Sequence, residues 1–168
     1  AAVAAGMIPV TLGSDTGGSV RMPAALCGIV GLKPTYGRVS RTGVLDLSWS
    51  MDHVGPMTRT TEDCALLMNV LAGHDPLDPA SSKEPVPDFT SDINRGLGGL
   101  KLGVPQDYFF DDSVDPEIVA SVLAAIELMA NNGAEIIDLP MPWVDKGRRI
   151  NLGVMYPEAT SVHEKMLA

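Results

Sequence analysis

The chain has 168 residues, of which 45% are hydrophobic and 20% charged, the make-up of a soluble globular protein long enough to bury a sizeable core. Its formal net charge of −9, with the twelve Lys and Arg scattered, argues against a nucleic-acid surface, which needs clustered basic residues. No apolar run approaches the length that crosses a bilayer. Cys27 and Cys64 lie far apart with no CxxC spacing, so both are expected as reduced, buried, cytosolic thiols.

In chain order, Ala1–Gly6 (AAVAAG) reads as the tail of a helix. Met7–Leu12 (MIPVTL) reads as a strand leading into the glycine-permitted loop GSDTGG, with Ser19 at its end. Pro23 suits the first turn of a short helix over PAALCG, closed by Gly28, and Gly28–Leu32 follows as a buried strand. The stretch from Lys33 to Arg59 is full of Pro and Gly breakers and is expected as loops around short strands, of the kind that line sites.

Thr60 and Asp63 make a capping-box-like start to a helix over Thr61–Ala72, with Ala65, Leu66, Met68, Asn69 and Leu71 at helical spacing and Gly73 as its stop. His74–Gly99 carries four prolines and many acids, and reads as an exposed connection between two halves. Leu100–Val104 is the next predicted strand. Asp115, Pro116 and Glu117 supply N-cap, first-turn proline and first-turn acid for a helix with an apolar stripe of Ile118, Val122, Ile126 and Met129, ended by Gly133. Ala134–Leu139 then completes a strand–helix–strand unit of an α/β fold, and Leu152–Ala168 reads as a helix cut short.

The chemistry concentrates in Gly13-Ser14-Asp15-Thr16-Gly17-Gly18-Ser19-Val20-Arg21. Glycines before a serine let the backbone approach a reacting carbonyl, and successive amides in such a loop can converge on one oxyanion. A phosphate-binding P-loop fails, because Ser19 and Val20 stand where it needs Lys and a hydroxyl. A nucleophile elbow GxSxG fails at Arg21. Taken alone, Gly-Gly-Ser is more often simply a turn.

Over its length, however, GSDTGGSVRMPAALCGIVGLKPTYGRVSR resembles the signature block of the amidase-signature family. The likeness continues through TGVLDLSWSMDHVGPMTRTTEDCALLMNVLAGHDPLDPASS, similar to bacterial amidases and to the A-subunit of Glu-tRNA(Gln) amidotransferase, and persists weakly to GVMYPEATSVHEKML.

The resemblance implies a mixed-sheet α/β fold with helices packed on the sheet, of which residues 1–168 form part of one domain continuing beyond both ends. It implies a Ser–Ser–Lys triad in which Ser19 forms the acyl-enzyme, with the lysine and the second serine upstream of Ala1. It also implies an oxyanion hole from the backbone amides of Thr16, Gly17, Gly18 and Ser19, with Asp15 and Arg21 bracing the loop from behind.

Lys33 falls at a family position outside the triad and is read as structural. A Ser–His–Asp site built on Asp52 and His53 is disfavoured, since neighbours along a strand point apart, and His53, His74 and His163 are each read as structural. The acidic run Asp111–Asp115 has Pro116 where a calcium loop needs glycine, and reads as a solvated loop and N-cap.

The function expected is hydrolysis of a carboxamide in the cytoplasm, with no metal or organic cofactor. The partners are a small-molecule amide and either a second copy or amidotransferase subunits, with neither membrane nor direct nucleic-acid contact. The alternatives are the glutaminase A-subunit of the tRNA-dependent amidotransferase, which LSWSMDHVGPM disfavours, and a non-catalytic α/β interaction module.

Overall fold

A computed structural model describes residues 1–110 and 112–167. The chain divides into two compact units, one of Ala1–Ile93 with the residues from Asn151 onward, the other of Asn94–Ile150.

In the first unit, strands β1 (Val10–Asp15), β2 (Val30–Gly31) and β3 (His53–Thr58) form an antiparallel sheet in the order β1-β3-β2. β1 begins after Pro9 rather than at Met7. It also runs on through Gly13, Ser14 and Asp15, predicted as loop, because Gly55, Val54 and His53 of β3 pair with them. Gly55 has to be a glycine: a Cβ there would overlap the Leu32 carbonyl oxygen.

β2 is short and half-buried where a longer, buried strand was expected. Its ladder ends where the partner on β3 becomes Pro56, which has no N–H to give and only accepts, from the Leu32 amide at 3.1 Å.

Helix α1 (Arg21–Leu26) carries Pro23 in its first turn and is followed by Gly28 at φ 63°, as the sequence implies. Helix α2 (Thr61–Leu71) starts on the Thr60 hydroxyl, which accepts from the Asp63 amide at 3.0 Å, and buries Cys64 and Met68. With Val3, Val20, Ala24 and Val39, these side chains make the core.

The connection expected to be exposed over 74–99 is exposed at 83–88 and 91–96, but Asp78 and Ser81 are buried. Its first part folds back onto the turn at 37–42. The Asp75 carboxylate accepts from the Ser40 and Thr42 hydroxyls, both at 2.6 Å, and Asp78 from the Arg41 amide at 2.9 Å. Asp75 and Asp78, in the connection expected to be exposed, are thus acceptors for backbone and hydroxyl donors.

In the second unit, β4 (Lys101–Val104) and β5 (Glu135–Asp138) pair in parallel across the intervening α4 (Pro116–Asn131), the predicted strand–helix–strand unit. A short helix α3 (Gln106–Phe109) after β4 was not foreseen. The Asp115 carboxylate caps α4 through the Glu117 amide at 2.8 Å. Of the acidic run before it, Asp111 lies outside the described residues. The stripe Ile118, Val122, Ile126 and Met129 lines an apolar cavity of about 740 Å³ together with Leu102 and Phe110, and no described residue of α4 is buried.

Helix α5 (Val144–Leu167) starts eight residues before its predicted beginning at Leu152, and the expected end at Ala168 lies outside the described residues. Gly147, Gly153 and Pro157 obscured it in the sequence. Among the described residues, no helix is long and apolar enough to cross a membrane.

Candidate active site

β1 ends at Asp15 and α1 starts at Arg21, so the five residues between them form a turn tied down at both ends. Ser19 is exposed on it and Gly18 is buried beneath, at φ 133°, a conformation that side-chain-bearing residues rarely adopt. Among the described residues, none hydrogen-bonds to the Ser19 hydroxyl.

The turn is wrapped around the fully buried Asp15 carboxylate. Asp15 Oδ1 accepts from the Gly18 amide at 2.7 Å, and Oδ2 from the Val20 and Arg21 amides at 3.2 and 3.4 Å. The Arg21 guanidinium adds a two-pronged contact, Nε and Nη2 each at 3.0 Å. Burial alone would raise the Asp15 pKa. The Arg21 hydrogen bond and the Val20 and Gly18 amides outweigh it and bring the value from 3.8 down to about 2. The two side chains predicted as braces therefore meet each other and hold the loop backbone.

Of the four amides that the resemblance assigns to an oxyanion hole, those of Thr16, Gly17, Gly18 and Ser19, one has a partner within the loop. The Gly18 amide is committed to Asp15, since its N–H points inward to the buried carboxylate. Among the described residues, none takes the amides of Thr16, Gly17 or Ser19.

A second carboxylate holds the near end of the turn. Asp52, buried just before β3, accepts the Thr16 hydroxyl on Oδ1 and the Leu47 and Ser48 amides on Oδ2 at 2.7 and 2.9 Å. From α5, the Asn151 side chain reaches the Thr16 carbonyl at 3.4 Å, and its Oδ1 lies 3.2 Å from where a Cβ on Gly17 would stand. Two turns further along, Glu158 accepts the Ser48 hydroxyl, the Ser50 hydroxyl at 2.7 Å and the Ser50 amide at 3.2 Å.

Sequence reasoning named Asp52 only as a neighbour of His53 and passed over Ser48, Asn151 and Glu158. The signal for Asp52 was local: a carboxylate four residues after Ser48 can close the turn on its own amides, and the Asp52 N–H donates back to Ser48 O at 2.8 Å. Asn151 and Glu158 lie more than a hundred residues from their partners, and no local pattern marks them.

The remaining candidates are structural in their contacts. His53 Nδ1 donates to the Met51 carbonyl at 2.6 Å, which leaves Nε2 to accept from Lys33 at 3.2 Å, and the ring meets Tyr36 edge-on. Burial lowers the His53 pKa, and the nearby Lys33 charge adds to this. His74 is an exposed loop residue and His163 lies on α5. Cys64 is buried and its thiol pKa is raised by burial, whereas Cys27 is only half-buried, contrary to expectation. Among the described residues, no group of three or more His, Cys, Asp or Glu is arranged to hold a metal.

Comparison with known proteins bears on this geometry. The family model described as Amidase matches residues 1–168. An amidase from Pseudomonas putida is 49% identical over 168 residues, 99% of this chain and 36% of its own length. The A-subunit of glutamyl-tRNA(Gln) amidotransferase from Chloroflexus aggregans is 51% identical over 142 residues, 84% of this chain and 29% of its own length. The crystal structure of the Thermotoga maritima counterpart of that A-subunit superposes with a TM-score of 0.91 at 40% identity, covering 96% of this chain and 35% of that one. The chain thus spans about a third of the length of the relatives it matches. With a family match over its whole length and near-half identity to curated relatives, the chain belongs to the amidase family and carries part of the amidase-signature α/β fold.

Proposed function

We propose that the parent protein hydrolyses a carboxamide and that Ser19 is its nucleophile. The observation that carries this reading is an exposed serine hydroxyl at the end of a glycine turn whose backbone is fixed by a buried Asp15–Arg21 pair. Ser19 Oγ forms a bond to the carbonyl carbon while its proton passes to a base. The carbonyl π bond opens to an oxyanion facing the amides of Thr16, Gly17 and Ser19. The oxyanion collapses, the C–N bond breaks, and ammonia or an amine leaves with the proton. Water then repeats the sequence on the acyl-enzyme and releases the acid.

The base is the lysine of a Ser–Ser–Lys triad acting through the bridging serine, both contributed by the parent outside these 168 residues. Asp15 and Arg21 hold the loop, and Gly18 supplies the backbone conformation that lets its own amide turn inward. No cofactor enters this chemistry. A cytoplasmic location accompanies it, in keeping with the unpaired thiols of Cys27 and Cys64.

Identity of 51% to an amidotransferase A-subunit favours one second reading: the same acyl-enzyme chemistry as a glutaminase that passes ammonia to a partner subunit. The experiment is active-site labelling of the full-length parent with a fluorophosphonate, followed by peptide mass spectrometry. The adduct is expected on Ser19 and absent in Ser19→Ala, with turnover lost and the fold retained. An adduct on any other residue overturns the assignment. Glutamine turnover that rises when partner subunits are added selects the second reading.

A further inference from the structure

We propose that Asp52 is a positioning residue for the oxyanion amides, acting through the Thr16 hydroxyl. The inference rests on the reading of Ser19 given above and adds to it a residue from a different part of the chain.

Thr16 is the hinge between the Asp15 brace and the glycines. The Asp15 carboxylate fixes the far side of the turn, at Gly18, Val20 and Arg21, and makes no bond to the two peptide units on either side of Thr16. Those two units carry the Thr16 and Gly17 amides, two of the three left for an oxyanion. Besides the Asn151 side chain, which reaches the Thr16 carbonyl at 3.4 Å, what restrains them is the Thr16 side chain, whose hydroxyl donates to Asp52 Oδ1 across 36 residues of sequence. A β-branched residue has few χ1 wells, so fixing its hydroxyl fixes the rotamer and with it the backbone that bears it.

Asp52 is itself held. It is 4% exposed, and its other oxygen is occupied by the Leu47 and Ser48 amides. Ser48, fully buried, is anchored in turn on Glu158. The Thr16 hydroxyl therefore bonds to a carboxylate that cannot swing away. A flexible acceptor would not preorganise the amides, and preorganisation is what an oxyanion site needs.

The test uses the full-length parent with Asp52→Asn, Thr16→Val and the double variant. Both single changes preserve shape. Thr16→Val deletes the donor, and Asp52→Asn replaces one carboxylate oxygen with an amide donor. Each is expected to lower kcat roughly tenfold to a hundredfold with KM changed little, since a small misplacement of reacting groups has effects of that order. The rate of fluorophosphonate labelling at Ser19 is expected to fall by the same factor. The double variant is expected to lose no more than the worse single one, because the two side chains act as one unit.

Rates are taken per folded molecule, with folding followed by circular dichroism. If either single variant fails to fold, the other decides on the kcat and labelling split alone. A labelling rate at Ser19 equal to the unmodified protein's, a loss confined to KM, or fully additive losses in the double variant would each overturn the proposal. Absence of any adduct on Ser19 in the unmodified protein would instead overturn the underlying reading, so the two failures are distinct.

Discussion

Gly18 and Asp15 govern one another at the scale of single residues. A side chain on Gly18 meets two obstacles: the φ of 133°, and the Met22 side chain, whose nearest atom would lie 3.0 Å from an added Cβ. Gly18→Val in the parent is expected to slow turnover about a hundredfold or more, comparable to losing an oxyanion donor, as measured by kcat per folded molecule. The route is displacement of the neighbouring amides, since Gly18's own is bound to Asp15. The same carboxylate makes stability depend on acid. Its folded pKa of about 2 lies below the ordinary 3.8, so its contribution is complete above 3.8 and is lost as the pH falls from there through 2. Asp15→Asn is expected to lower the Tm at neutral pH and to flatten its decline across that window. An equally steep decline in the variant would contradict the pKa-based account.

At the scale of elements, α2 and α4 were legible because each advertises itself locally. Thr60 with Asp63, and Asp115 with Pro116 and Glu117, mark helix starts by hydrogen-bonding chemistry confined to a single turn. Thr60→Ala is expected to cost about 1 kcal/mol in denaturant melts, the usual loss for a single N-cap, with no change in activity of the parent. β1 was misplaced for the opposite reason. Whether Gly13-Ser14-Asp15 is loop or strand is decided by residues 53–55, some forty positions away, and glycine-rich sequence carries no trace of that partner. α5 was cut short because Gly147, Gly153 and Pro157 weaken the local helix signal that packing restores.

For the whole chain, the signature turn, Ser19 and the Asp15–Arg21 brace could be read because they lie within nine consecutive residues. The second brace could not, because Asp52, Asn151 and Glu158 arrive from separate segments. The 168 residues by themselves are expected to give no amidase turnover, since none of the described residues offers a base to the Ser19 hydroxyl. Hydrolysis of a simple amide panel that disappears with Ser19→Ala would refute this. The open α4 stripe, with Ile118 58% and Val122 42% exposed, predicts self-association of the same preparation, visible as a concentration-dependent mass in light scattering. Net charge of −9 predicts no retention on immobilised tRNA at physiological salt.

The β1–β3 register has a consequence for how such a chain can vary. Asp15 closes one strand and its partner His53 opens the other, so both carboxylates that shape the Ser19 turn leave the sheet at the same end of a single ladder. Because side chains alternate faces, inserting one residue within 10–15 or 53–58 would send Asp15 or the chain leading from Asp52 to the wrong side and dismantle the turn outright. One or two residues added at the exposed Gly43–Val44 bend would leave that pairing alone. Length variation is thus forbidden in twelve positions of strand and permitted in the loop between them, so the ladder works as a ruler against which the reactive turn is measured.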